Sequence, residues 1–166
     1  MRLNLGCGND YRQGYINVDR VPGVADIVHD LDEFPYPWPD HSVDEILMRH
    51  VLEHLQDIRK VMDELWRLLK PGGRLTIYVP HFSNFHALTH PEHRHAFHYN
   101  SFQIFTAQSG ERYTDRLWNI EEVELGFGNL ILRRFFNRHK YIYTTTILAY
   151  LFPAYEIKFF MTPLKQ

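Results

Sequence analysis

The sequence is poor in cysteine and has no long apolar run. Cys7 is the single cysteine among 166 residues, which excludes an intramolecular disulfide and fits a reducing compartment. No segment approaches the roughly 20 apolar residues that a membrane-spanning helix needs. No basic, apolar leader precedes the first predicted strand. We therefore expect a cytoplasmic protein without a transmembrane segment.

The sequence also has little net charge. Its formal charge is -2 at pH 7, which argues against a protein that coats nucleic acid, so no nucleic-acid partner is expected. Internal repeats and low-complexity segments are absent. With 45% hydrophobic residues, the chain is long enough for one domain, residues 1–166, with a substantial core.

The start of the chain combines a short strand with a glycine turn. Alternating apolar residues at 3–5 predict a buried strand, and Gly6 and Gly8 follow it directly. Glycine has no Cβ, so the backbone can turn tightly and a ligand can lie against it. A second apolar run, residues 15–18, ends in Asp19, and a carboxylate at that position can accept hydrogen bonds from two hydroxyls of a ribose. These segments predict a nucleotide-binding site.

Further segments follow in the order of an alternating α/β fold. Residues 25–31 predict a third strand, residues 34–40 an extended proline-rich loop, and residues 43–48 a fourth strand. Apolar residues then recur at spacings of three and four from Leu55 to Leu69, which predicts an amphipathic helix. We expect this helix to end at residues 70–73, Lys-Pro-Gly-Gly, before a fifth strand at 74–80.

At these segments the sequence resembles the class I S-adenosylmethionine-dependent methyltransferases, especially the small type 11-like enzymes. The resemblance extends from residue 3 to about residue 102. It is carried by the glycine loop at 6–8, Asp19, the proline-rich loop and the Leu-Lys-Pro-Gly-Gly segment. It implies an α/β, Rossmann-like, doubly wound and mostly parallel sheet with an antiparallel C-terminal strand. It also implies S-adenosylmethionine as cofactor and methyl transfer to a small-molecule or glycan- or lipid-linked acceptor.

The resemblance also assigns residues to the cofactor. Asp19 would hold the ribose, Asp30 the adenine amino group, and Leu31 would pack on the adenine ring. Asn9 and Asp10 would either cap a short helix or contact the cofactor's ammonium group. Glu53 and His54 are expected to begin the following helix as capping residues. The predicted cofactor-binding residues are Leu5, Gly6, Cys7, Gly8, Asn9, Asp19, Arg20, Asp30, Leu31, Arg49 and His50.

Six of the eleven histidines lie between residues 81 and 98, interleaved with aromatic residues. Three interpretations compete: a metal site, an acceptor-binding loop with a histidine base, and a solvated loop. The spacing matches no familiar zinc pattern, so we predict no metal and favour a substrate or lid segment at 81–116. His50 and His81 are the candidate catalytic bases, and His81, His93 and Phe97 the candidate acceptor contacts.

The C-terminal third alternates apolar and basic segments. Residues 103–108 predict a helix, 117–125 a sixth strand, and 155–161 a last, antiparallel strand. Between residues 130 and 155, basic and aromatic residues alternate. This segment would either bind a phosphorylated acceptor, a nucleic acid or a membrane surface, or fold over the core as an amphipathic excursion.

Two other functions are compatible with parts of this pattern. A noncatalytic cofactor-binding or partner-binding domain would explain the short first crossover. A nicotinamide-dependent oxidoreductase is disfavoured because the loop at residues 6–8 lacks a third glycine and a following helix. A second copy of the chain could complete an open cofactor cleft, which makes a homodimer one candidate oligomer, although the sequence does not reveal the oligomeric state.

Overall fold

The computed structural model describes residues 1–111 and 114–165. Its centre is a seven-stranded sheet in the order β3-β2-β1-β4-β5-β7-β6. The first five strands pair in parallel and the last two are antiparallel. This is the predicted Rossmann-like sheet. The strands are β1 (Arg2–Leu5), β2 (Ile16–Asp19), β3 (Ile27–Val28), β4 (Val43–Arg49), β5 (Leu69–Val79), β6 (Trp118–Gly126) and β7 (Glu156–Pro163).

Strand β1 lies inside the sheet, where it pairs with β2 on one side and β4 on the other. Leu5 stands opposite Val18 of β2 and Met48 of β4, and all three side chains are fully buried. Strands covered on both faces are mostly apolar, and the two buried polar residues here, Asn4 and Asn17, hydrogen-bond to each other at 3.0 Å. Because these strands are parallel, their carboxyl ends lie at one edge of the sheet.

The first long helix, α1 (Ile58–Leu68), begins at Asp57, whose carboxylate accepts from the Lys60 backbone N–H at 3.1 Å. It buries the apolar face that the spacing predicts, but it ends before Pro71. Leu69 instead pairs with Val43 of β4 and begins β5. The predicted helix end at 70–73 is therefore wrong: strand pairing ends the helix, and Gly72, at φ +73°, lies within β5.

No helix forms between β1 and β2 in the described chain, where only turns are found. The capping role considered for Asn9 and Asp10 is therefore wrong, and the Asp10 carboxylate instead pairs with Arg12 at 2.8 Å. Glu53 and His54 also do not begin a helix, because they lie in a turn ahead of Asp57. The third strand is shorter than predicted and leaves Asp30 and Leu31 in the loop beyond it.

The segment after β5 folds back on itself. His81 and Phe97 form an isolated parallel bridge, and the Phe82 backbone N–H donates to the Phe97 carbonyl at 2.8 Å. Between them lies a short helix, α2 (Phe85–Thr89). The helix predicted at 103–108 is a single 3-10 turn, Gln103–Phe105, after which Thr106 is extended. Within the predicted segment 81–116, residues 112 and 113 lie outside the described residues.

Three helices cover residues 130–151: α3 (Leu130–Arg138), α4 (Lys140–Thr145) and α5 (Leu148–Leu151). They are anchored by Phe136, Tyr143 and Ala149, which are buried against the sheet and the segment after β5. β7 then inserts between β5 and β6, as the C-terminal pattern predicts. Within the part of the chain that is described, no helix has the length and apolar content to cross a bilayer.

Candidate active site

A cleft of about 620 Å³ opens at the carboxyl ends of β1, β2, β3 and β4. We call it the glycine-loop cleft. Its volume is in the range of small-molecule sites. Ligands of open α/β sheets bind at this edge, where the loops leave the strands. The cleft is lined by Gly6, Gly8, Asp19, Arg20, His29, Asp30, Leu31, Asp32, His50, Val51, His54, Leu55, Pro91, Glu92 and Arg94.

The glycine loop is held by backbone hydrogen bonds to β2. The N–H groups of Gly6 and Cys7 both donate to the Val18 carbonyl, at 2.8 and 3.0 Å. Gly6 has φ +67°, and a Cβ at this position would lie 2.3 Å from a methyl group of Val51. The position therefore requires glycine for two reasons: other residues rarely adopt this positive φ, and there is no room for a Cβ beside Val51. The Gly8 N–H donates to the Asp19 carboxylate at 2.8 Å, which ties the loop to the tip of β2.

Seven of the predicted cofactor residues line the glycine-loop cleft, and four do not. Leu5 is fully buried in β1, and Asn9 is exposed outside the cleft lining. Cys7 is 4% exposed, and burial raises the pKa of its thiol, which disfavours a nucleophilic thiolate. Arg49 points instead to Asp10, at 3.6 Å. The seven lining residues are Gly6, Gly8, Asp19, Arg20, Asp30, Leu31 and His50.

His50 lies between two buried carboxylates. Its Nδ1 is 3.5 Å from Glu53 and its Nε2 is 3.5 Å from Glu156, the first residue of β7. These carboxylates raise the pKa of His50 to about 9, with Glu156 the larger cause. The ring is therefore protonated at neutral pH, and both nitrogens face carboxylates. Glu156 also pairs with the Lys158 ammonium at 3.6 Å, so two cations face the two carboxylates.

Comparisons with known proteins agree with this geometry. Residues 3–77 match a family model described as a methyltransferase domain, of the type 11 group. The match includes β1 to β4, the glycine loop and Asp19. Residues 3–77 are thus similar to the methyltransferase domain of the type 11 family.

The methyltransferase domain also has relatives among curated and solved proteins. A demethylmenaquinone methyltransferase of Corynebacterium glutamicum is 32% identical over 68 residues, which are 41% of this chain and 29% of that protein. The chain thus spans less than a third of that relative's length. An S-adenosylmethionine-dependent methyltransferase of Mesorhizobium loti shares the fold at TM-score 0.65 and 14% identity, over 97% and 89% of the two chains. One of Archaeoglobus fulgidus has TM-score 0.62, 17% identity and coverages of 97% and 85%.

S-adenosylmethionine is the cofactor that this similarity implies, and the glycine-loop cleft fits it. Asp19 lines the cleft together with Asp30 and Leu31, the residues that would hold the ribose and the adenine. His29 Nε2 is a buried polar atom without a hydrogen-bond partner among the described residues, and His29 lines the same cleft. An unsatisfied buried polar atom costs free energy unless a ligand or water satisfies it.

The three predicted acceptor contacts do not line the glycine-loop cleft. His81 is fully buried, and its Nδ1 lies 2.8 Å from the Ser83 hydroxyl. Phe97 is 2% exposed and stacks on Phe102, beside a second cavity of about 850 Å³. His93 packs with His54 and His90. The prediction that His81 contacts an acceptor directly is therefore wrong for this structure, because the His81 ring is not exposed to solvent.

The burial of His81 predicts that the stability of the protein depends on pH. Burial, with a smaller contribution from His98, lowers the pKa of His81 from 6.5 to about 4. A depressed folded-state pKa means that the unfolded chain binds the proton more readily. We therefore expect His81 to lower the free energy of unfolding by about 3 kcal/mol as the pH falls from 6.5 through 4. Above pH 6.5, His81 should have no such effect.

Urea unfolding between pH 4 and pH 7 measures this effect. His81→Leu should flatten the pH dependence, whereas His86→Leu, at an exposed position in the same segment, should leave it unchanged. Equal pH slopes for the wild type and His81→Leu would show that another group titrates.

Three residues in or next to the cleft were not predicted as site residues from the sequence. Glu53, Glu156 and His29 carry no motif, since each becomes part of the site only through the folding of distant segments. Glu156 lies 106 positions after His50, and no spacing rule connects the two. Glu53 was singled out only as a helix cap. Its complete burial within the turn after β4 is a property of the tertiary structure.

Proposed function

We propose that this protein transfers a methyl group from S-adenosylmethionine to an acceptor at the glycine-loop cleft. The observation that carries the proposal is the convergence of Gly6, Gly8, Asp19, Asp30 and Leu31 on one cleft at the sheet's carboxyl edge. These are residues to which the resemblance to type 11 enzymes assigns cofactor contacts. When bound, the cofactor supplies an already activated methyl group on a positively charged sulfur.

The protein's own contribution is orientation and charge. Alignment of two reactants can supply roughly 7–11 kcal/mol of barrier reduction in favourable cases. The two carboxylates of the Glu53–His50–Glu156 cluster hold the His50 ring next to the cleft, and Lys158 also pairs with Glu156 at 3.6 Å. We propose that His50 acts within this cluster as a protonated imidazole, with a hydrogen on each ring nitrogen in the free protein. A role for His50 as general base would require loss of that proton first.

Calorimetric titration with S-adenosylmethionine and with its demethylated product tests this function. Saturable binding of both, with turnover on a panel of acceptors, would support an enzyme. Binding without turnover on any acceptor would favour the alternative, a noncatalytic cofactor-binding domain. Absence of binding to either compound would contradict the proposal.

The acceptor class is suggested by the surface of α3, α4 and α5, which we call the apolar–basic surface. Residues 127–155 contain four Lys or Arg and no Asp or Glu. Ten large apolar or aromatic side chains here are 41–78% exposed. They are Leu130, Ile131, Phe135, Tyr141, Ile142, Ile147, Tyr150, Leu151, Phe152 and Tyr155. Apolar side chains among basic ones, without acidic residues, are typical of surfaces that bind anionic bilayers.

The apolar–basic surface adjoins the cleft side of the sheet. Tyr150 packs edge-on against Phe82, just after β5, and the chain leaving this surface reaches Glu156 beside His50. We therefore propose a lipid-linked acceptor that is presented from a membrane surface. Such an acceptor has both an apolar chain, which suits the exposed apolar face, and a polar group, which suits the adjoining small-molecule cleft.

Sedimentation with vesicles tests the membrane contact. The protein should bind vesicles containing phosphatidylglycerol more strongly than vesicles of phosphatidylcholine alone, because Arg134 and Arg138 favour negative headgroups. Ile131→Glu combined with Leu151→Glu should reduce binding by at least about tenfold, since both side chains are more than half exposed. Val28→Glu, on β3 at the far edge of the sheet, is the matched control. Equal binding by the double variant would contradict the proposed contact.

A further inference from the structure

Three histidines from two separate segments meet beside the glycine-loop cleft. His54 lies in the turn after β4, and His90 and His93 lie just after α2. One ring nitrogen from each lies within 4.8 Å of the others. The ring centroids of His54 and His93 are 4.8 Å apart, and those of His90 and His93 are 4.5 Å apart. Close packing of three imidazoles is unfavourable if they become protonated, but it is the arrangement that a metal ion requires.

Backbone carbonyls orient two of the three rings. His54 Nδ1 lies 3.2 Å from the Glu92 carbonyl oxygen, and His93 Nδ1 lies 3.2 Å from that of Ala87. Each carbonyl can only accept, so Nδ1 of each ring carries the hydrogen and Nε2 keeps its lone pair. Histidines that bind metals are oriented in the same way, with the second ring nitrogen donating to a carbonyl or carboxylate.

The third ring has a weaker restraint. The Glu92 backbone N–H donates to His90 Nδ1 at 3.3 Å, a long hydrogen bond. His90 is exposed, so a small rotation of its side chain can release this bond and direct a lone pair toward the other two rings. Zinc–nitrogen bonds of about 2.0–2.1 Å place the nitrogens of a tetrahedral site about 3.4 Å apart, so the separations, which are within 4.8 Å, must shorten by at most about 1.4 Å.

We propose that His54, His90 and His93 bind a divalent transition-metal ion of the zinc type. Neutral imidazole is the commonest protein ligand for such ions, and three imidazoles leave one coordination position open. His54, Pro91 and Glu92 also line the glycine-loop cleft, so the ion would lie at the wall of that cleft. The Glu92 carboxylate and the Arg94 guanidinium are the nearest charged groups in the sequence on either side of His93.

The bound ion would join the segment after β5 to the turn after β4. These segments already touch through the Glu53 carbonyl, which accepts from the Arg94 and His95 N–H groups at 2.8 and 3.3 Å. Sequence spacing alone disfavoured a metal site. Of the three histidines in the cluster, only His90 and His93 lie in the histidine-rich segment. The third ligand, His54, comes from a segment 36 residues earlier in the chain, and only the fold brings it close.

Metal binding to protein without an affinity tag, first stripped with a chelator, tests the proposal. Calorimetric titration with Zn²⁺ should show one equivalent bound, and Co²⁺ should give the visible absorption bands of a low-symmetry nitrogen-ligated site. Replacing one of three ligands is expected to weaken Zn²⁺ binding by at least about 100-fold, so His90→Ala and His93→Ala should each lose saturable binding. His86→Ala, in the same segment but outside the cluster, should bind as the wild type does.

These readouts do not require methyl transfer, so the metal site can fail while the proposed function stands, and the reverse also holds. Absence of a one-equivalent isotherm in the wild type would overturn the metal site. Zn²⁺ binding that survives both His90→Ala and His93→Ala would also overturn it, because the ion would then lie elsewhere. Circular dichroism of each variant verifies that lost binding does not reflect an unfolded chain.

Discussion

Replacement of Asp19 by alanine is expected to abolish measurable S-adenosylmethionine binding. Under the proposed function, the carboxylate at the tip of β2 accepts two hydrogen bonds from the ribose. Hydrogen bonds to a charged group contribute about 1.5–3 kcal/mol each, so their joint loss corresponds to a weakening of about 10²–10⁴-fold. Isothermal titration calorimetry with the cofactor and with its demethylated product measures this loss directly.

The same carboxylate also shapes the glycine loop, and the experiment has to separate the two roles. Asp19 accepts from the Gly8 N–H at 2.8 Å and from the Val21 N–H at 2.9 Å, so alanine also releases these backbone groups. Asp19→Asn keeps one acceptor oxygen and is expected to bind with an intermediate affinity. Asp44→Ala is the matched control, because it removes a carboxylate that pairs with Lys70 at 2.6 Å, outside the cleft lining.

The outcome distinguishes ligand contact from loop support. If Asp19→Ala binds the cofactor as tightly as Asp44→Ala does, the ribose is held by other groups and the assignment of Asp19 is wrong. If both variants lose binding together with thermal stability, the effect is on folding. Loss confined to Asp19→Ala, with unchanged melting temperature, would support the cofactor site.

The fold was largely predictable because each of its first elements is specified by a short stretch of consecutive residues. Strand β1, the glycine turn and strand β2 occupy fewer than twenty consecutive residues, and each has a distinct apolar or glycine signature. The end of α1 was not predictable in the same way. Proline at position 71 gave a strong local stop signal, yet pairing of Leu69 with Val43 of β4 ends the helix earlier. A contact between residues 26 positions apart overrides the local preference.

The candidate site was predictable only where its residues end a strand or follow one within three residues. Gly6, Gly8 and Asp19 meet this condition, and all three line the cleft. The histidine-rich segment does not, and its members diverge in the structure. His81 is buried against Ser83, His95 bonds to the Leu55 carbonyl at 2.9 Å, and His93 joins the three-histidine cluster. Composition marked the segment as unusual, but it could not assign these separate environments.

The Glu53–His50 pair leads to the second large expected effect, a loss of stability in His50→Asn. Glu53 is fully buried, and His50 Nδ1, 3.5 Å away, is its nearby cation. Removing one partner of a buried ion pair costs about 3–5 kcal/mol, and the partial exposure of His50 reduces this to about 2 kcal/mol. Asparagine tolerates the positive φ of +53° at this position, so the substitution tests charge and not backbone strain.

The pH dependence of this loss has a defined sign. The folded-state pKa of His50, about 9, lies above its unfolded value of 6.5, so its contribution to stability is complete below pH 6.5. It is lost as pH rises through 9. Urea unfolding should therefore show the largest difference between wild type and His50→Asn near pH 6 and a small one above pH 9.

Two variants make this interpretation specific. His41 has the same φ of +53° but is exposed, so His41→Asn should change stability little at any pH. Combining His50→Asn with Glu53→Gln removes the buried charge together with its partner, and this double variant should recover most of the lost stability. If the double variant were as unstable as His50→Asn alone, the imidazole would stabilise the turn after β4 by packing, and the carboxylate would not be the reason for its presence.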